Sequence, residues 1–134
     1  MTVEAAILNL QAKLLALSGM KAAPDAPPEG AGAFPFAVSY ERTGTLAMRS
    51  AGFADDLATI WCEIHVSRQI LPIAIGTAMA FRDPFLKAII ADPTLGGSVS
   101  TVNAVRRTFG ALKWADIDTI GYRFEVDVKV TLTT

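Results

Sequence analysis

Gly121-Tyr122-Arg123-Phe124-Glu125-Val126-Asp127-Val128-Lys129-Val130 alternates apolar and charged side chains without a break. Successive side chains of a strand point to opposite faces, so Tyr122, Phe124, Val126, Val128 and Val130 share one face and Arg123, Glu125, Asp127 and Lys129 the other. One buried face and one polar face is the habit of an antiparallel sheet. A second stretch repeats the pattern: Ile60, Cys62, Ile64 and Val66 face one way, and Trp61, Glu63, His65 and Ser67 the other. Phe34, Phe36, Val38 and Tyr40 alternate as well, with Pro35 confining that strand to an edge or to its first residues. A fourth strand is expected from Ser98 to about Thr108.

Between the strands the period changes. Val3, Ile7, Leu10, Leu14 and Leu17 recur at intervals of three and four, which builds one helical stripe ending at Gly19. Pro72 opens a second helix over Ile73 to Ile90 that kinks or restarts at Pro84, with Asp83 as its N-cap. Asp92-Pro93-Thr94-Leu95-Gly96-Gly97 then releases the chain from it. Residues 19–33, rich in Pro, Gly and Ala, read as an exposed connector. Residues 42–56, with Gly44, Gly52 and weak periodicity, read as a long hairpin loop. The expected fold is therefore α+β: one domain over residues 1–134, with an antiparallel four-stranded sheet and two main helices packed on one face.

Composition narrows the function. Of 134 residues 51% are hydrophobic and 19% charged, more apolar than an ordinary free-standing domain, and self-association accounts for the excess. The net charge of −1 supplies no field that draws the chain to nucleic acid or to anionic lipid. A lone Cys62 and a lone His65 exclude an internal disulfide and a zinc site built from Cys and His alone. The apolar N-terminal stretch is interrupted by Glu4, Asn9, Gln11 and Lys13, so neither a signal peptide nor a membrane span is expected, and the chain is expected to fold in the cytosol.

The search for chemistry yields no catalytic residue, no metal ligands and no cofactor site. Asp55-Asp56 is read as part of a solvated loop and Asp116 with Asp118 as part of a turn. Cys62 and His65 stand three apart on a strand, hence on opposite faces, too far apart to act as nucleophile and base. Gly96-Gly97 follows a helix rather than a strand and lacks the spacing of a phosphate loop. Arg106 and Arg107 point to opposite faces and form no single patch. What remains is an interface. Trp61 is costly to leave in water, and it shares the outward face with Arg123, Glu125, Asp127 and Lys129. Leu46, Met48, Arg49 and Phe53 in the 42–56 segment are the candidate anchors for a partner.

The order of these features resembles the tail terminator proteins of long-tailed bacteriophages. The resemblance runs over residues 54–130. It is carried by the Pro72-led helix, the turn Asp92-Pro93-Thr94-Leu95-Gly96-Gly97-Ser98-Val99 and the closing Gly121–Val130 stretch, with the N-terminal helix ahead of them. It implies a virion protein made in the host cytoplasm, a homo-oligomeric ring, usually a hexamer, that caps the head-proximal end of the tail tube. Such a ring stops tube growth, offers a joining surface to the head connector and lets DNA through its channel. It implies no enzymatic activity and no membrane partner. Two other readings stay open: a different neck or head completion protein, and a small cytosolic ligand-binding or enzymatic α+β domain with an apolar pocket between helix and sheet.

Overall fold

The computed structural model describes residues 1–30 and 32–134; Ala31, in the sequence-predicted connector, lies outside the described residues. The chain forms α1 (Val3–Leu15), β1 (Phe36–Ser50), β2 (Phe53–Ser67), α2 (Leu71–Met79), α3 (Arg82–Ala91), β3 (Thr101–Trp114) and β4 (Ile117–Thr133). The strands make one antiparallel sheet in the order β1-β2-β4-β3. This is the α+β fold expected from the alternation, with the helices on one face.

Helix α1 begins where the Thr2 hydroxyl accepts the Ala5 amide at 3.1 Å. Its stripe lands on the sheet: Leu10 and Leu14 are fully buried in one core with Ile60, Cys62, Phe124 and Val126. Gln11, also buried, ties three segments together. Its amide donates to the carbonyls of Pro24 at 2.6 Å and Ala37 at 3.2 Å, and its oxygen accepts the Ser39 hydroxyl at 2.6 Å. The connector is therefore pinned along part of its length. Ala22 bridges Phe36 in parallel, and Met20 and Ala23 are buried.

The second helix is two helices. The break falls at Ala80–Phe81, ahead of the expected Pro84, and Phe81 rather than Asp83 occupies the N-cap position. Pro84 sits in the first turn of α3, where its missing N–H removes no intrahelical bond. Asp83 lies in that same turn, its negative charge facing the positive end of the helix. Phe85 then meets Phe124 edge-on, ring centres 4.9 Å apart.

The largest departure from expectation is at residues 42–56. They are not a loop: β1 continues to Ser50, the chain reverses over Ala51-Gly52 with Gly52 at φ +76, and β2 starts at Phe53. Ladder hydrogen bonds require no apolar alternation, and most of this segment is exposed on both faces, so the hydrophobic signal is weak. An irregularity between Glu41 and Thr43 also reverses the parity of β1. Before it, Phe36, Val38 and Tyr40 stand opposite His65, Glu63 and Trp61 on the face away from the helices. After it, Gly44 and Leu46 stand opposite Ala58 and Asp56 on the helix side. Similarly β3 starts later and runs longer than expected, to Trp114, closing on β4 through Ala115-Asp116, both with positive φ. Asp118 is in β4, not in the turn.

Candidate functional site

Two regions stand out: a closed polar network on the outer sheet face, and a bare arm at one end of the sheet. The network begins with three side chains that the register places side by side. Glu63 and His65 lie on β2, and Thr119 pairs two positions away on β4. His65 Nδ1 is 2.6 Å from Thr119 Oγ1 and its Nε2 is 3.1 Å from Glu63 Oε1. Arg123 Nε donates to Glu63 Oε2 at 2.8 Å, and the Tyr40 hydroxyl reaches the same oxygen at 3.3 Å. Burial, the strongest influence on Glu63, raises its carboxyl. The hydrogen bonds and charges of His65 and Arg123 outweigh it and hold the group below its ordinary value. Burial and the neighbouring Glu63 push the Tyr40 phenol up to about 12.

Aromatic rings close over this cluster. Phe36 stacks on His65 with centres 4.8 Å apart, and Trp114, at the far end of β3, comes within 5.9 Å of His65 and 6.3 Å of Tyr40. The Trp114 indole N–H donates to the Pro28 carbonyl at 3.1 Å, which fastens the β3–β4 end to the connector. The sequence Thr119–His65–Glu63 has the order of a nucleophile, base and orienting acid. Yet His65 and Thr119 are wholly excluded from solvent, so no substrate reaches them in this conformation. The cluster reads as a satisfied polar core beneath an aromatic cover.

The sequence-predicted outward residues continue this network toward the other end of the sheet. Trp61 Nε1 donates to Glu125 at 3.1 Å, and its ring lies between the guanidinium groups of Arg123 at 4.1 Å and Arg42 at 5.1 Å. Asp127 accepts from Thr59 at 2.7 Å and pairs with Arg106, which also reaches Glu125 at 3.4 Å. Lys129 is half-buried opposite Leu57 and Thr101. Trp61, Arg123, Glu125 and Asp127 thus all find their partners inside the subunit. Arg106 and Arg107 do face opposite ways, being paired with Glu125 and Phe124. Asp55 departs from expectation: instead of lying in a solvated loop it is buried, accepting from Arg49 at 2.5 Å and Thr131 at 3.3 Å.

The arm is the part of β1, β2 and β4 that outruns the helices. The N-terminal end of α1 abuts Glu41, Asp56 and Val130. Beyond it, Leu46, Met48, Phe53, Ala54 and Leu132 line a hollow of about 230 Å³ to which no helix contributes. Met48 is 71% exposed, Leu46 53% and Leu132 43%. Arg49 links the two strands of the arm by pairing with Asp55, and its guanidinium lies 5.9 Å from the centre of the Phe53 ring. Leu46, Met48 and Phe53 line this hollow and Arg49 stands beside Phe53 and Asp55, all on strands rather than on the loop that sequence reading expected.

Sequence reading missed Glu63, Thr119, Tyr40 and Trp114 as one cluster, and no local signal joins them, because the contacts join strands distant in the chain, 54 residues apart for His65 and Thr119. It also left Ile73 and Ile90, both well exposed on α2 and α3, outside the candidate surface. Among the described residues no helix is long and apolar enough to cross a membrane, and no group of three His, Cys, Asp or Glu side chains gathers as a metal site. No family model matches the chain, and no curated protein matches its sequence.

Proposed function

We propose that this chain is a virion assembly protein, a tail terminator whose subunits close into a ring on the head-proximal end of a phage tail tube. The observation that carries the reading is the arm, an apolar surface held on the ends of β1, β2 and β4 beyond the helix layer, with Leu46 and Met48 bare. An exposed row of large apolar side chains on an otherwise well-packed subunit marks a contact surface. In this reading the arm docks on the last ring of tube protein, ending addition of further tube subunits, while another surface of the ring meets the head connector. DNA passes through the channel, and the near-neutral charge leaves it ungripped, since each phosphate neutralised adds affinity.

The test is tube capping. Purified tube protein is polymerised with and without this chain, and tube length and end density are read by electron microscopy. Wild type is expected to halt growth and leave a ring at one end. Leu46→Asp with Met48→Asp, at positions too exposed to unfold the subunit, is expected to abolish capping. Capping by that variant at the wild-type level excludes the arm as the docking surface. Attachment to filled heads but not to tubes moves the reading to a different neck protein.

A second reading has one observation in its favour. A cavity of about 410 Å³ between the end of α1, the connector and β1, lined by Leu15, Pro24, Pro28, Phe36 and small residues, has the size of a small-ligand pocket. Among the described residues it offers no charged side chain to orient a ligand.

A further inference from the structure

The two ends of the sheet are built to meet. In the order β1-β2-β4-β3 every neighbouring pair is antiparallel, so β1 and β3, the edge strands, run in opposite directions. A second copy placed beside the first in the same orientation brings its β3 antiparallel to β1, helix side next to helix side. The heights match as well. Ser39, Cys62, Phe124 and Arg107 lie in one row across the sheet, so Arg107 of one copy comes level with Ser39 of the next, two residues along the strand from Glu41.

The chemistry at the two edges is complementary. Beside β1, a hollow of about 320 Å³ has Ile7, Leu8 and Tyr40 in its wall and Glu4, Asp25 and Glu41 around it. Among the described residues none of these three carboxylates has a basic partner within 4 Å. On the helix side of β3 stand Arg107, exposed and also without an acidic partner among the described residues, and Phe109, 38% exposed although packed on Tyr122. One face therefore offers acids around an apolar wall, and the other a guanidinium followed two residues later by a ring.

We propose that the β1 edge of each subunit, from Ser39 onward, receives the β3 edge of a second copy, with Arg107 entering the hollow bounded by Glu4, Asp25 and Glu41. Two different patches meet, so the contact is heterologous and closes into a ring when the rotation between copies closes. It also covers the edge of β3 and the edge of β1 beyond Ala37, whose own N–H and carbonyl are taken by Ala22 and Gln11. The inference rests on the ring-forming reading above and names the surface through which the ring is made.

Charge exchange tests it. Glu41→Lys and Arg107→Glu, both at exposed positions, each set like charge against like in every contact, whereas the double variant restores opposite charges. Association is followed by sedimentation velocity, with circular dichroism to verify folding. Each single variant is expected to associate at least tenfold more weakly than wild type, and the double variant to recover most of that loss. Single variants that associate like wild type, or a double variant no better than either single, overturn this contact while leaving a ring made elsewhere. A wild type that stays monomeric at every concentration overturns both the contact and the ring.

Discussion

The Nδ1 of His65 lies 2.6 Å from the Thr119 hydroxyl across the β2–β4 pairing, and both side chains are wholly buried. Each ring nitrogen of His65 has one partner, so removing either partner strands a polar atom in the core. Thr119→Val is expected to lower stability by about 1–3 kcal/mol. His65→Gln, nearly silent if the residue merely faced solvent, is expected to cost a similar amount because it also loses the Phe36 stack. Urea unfolding followed by tryptophan fluorescence measures both; midpoints equal to wild type contradict the closed network.

Glu63 sets an acid limit on that network. Burial on its own raises the carboxyl, but His65 and Arg123 bring it below its ordinary value of 4.5, so the folded state binds the proton less readily than the unfolded chain. Its contribution is fully present above the unfolded value and is lost as pH falls through the folded one. Stability measured from neutral pH down to about pH 3 is expected to fall less steeply in Glu63→Gln than in wild type. Parallel curves show that the acid sensitivity lies elsewhere.

At Gly121 the backbone of β2 leaves no room for a side chain on β4. A Cβ there would fall within bonding range of the Ile64 carbonyl oxygen and 2.9 Å from its carbon, both of them backbone atoms that cannot turn aside. Gly121→Ala is expected to cost about 3 kcal/mol or more, or to yield no folded protein. Thermal unfolding of the purified variant decides it; a melting temperature within a degree or two of wild type contradicts the strand register.

Cys62 is fully buried on the helix side, and burial pushes its thiol up to about 12. The native protein is expected to resist a thiol reagent at neutral pH and to react only as fast as it opens, so labelling follows unfolding. Fast stoichiometric labelling without denaturant places the thiol outside the core. Cys62→Ala is expected to destabilise by about 1 kcal/mol through the small cavity it leaves.

These residues show where sequence pattern carries structural information. Phe124, Val126, Val128 and Val130 are all buried, because one face of the middle of β4 is covered and the alternation is written into the chain. The α1 stripe is legible for the same reason. The arm is not, because most of its positions face solvent and the irregularity at Glu41–Thr43 shifts the parity of its apolar residues. Nor is the burial of Glu63 and His65, whose alternation with Cys62 and Ile64 reads as an outward face. Their cover comes from Phe36 on one neighbouring strand and from Trp114 at the end of the β3–β4 pair. The candidate anchors Leu46, Met48 and Phe53 were legible as apolar side chains in a polar stretch; their platform was not.

The central claim, a subunit that closes into a ring, is tested most directly by native mass spectrometry of the wild-type protein across micromolar concentrations. A dominant species of about six copies of the 14.2 kDa chain, with no ladder of longer oligomers, is the predicted result. A monomer or dimer at every concentration and salt condition contradicts it.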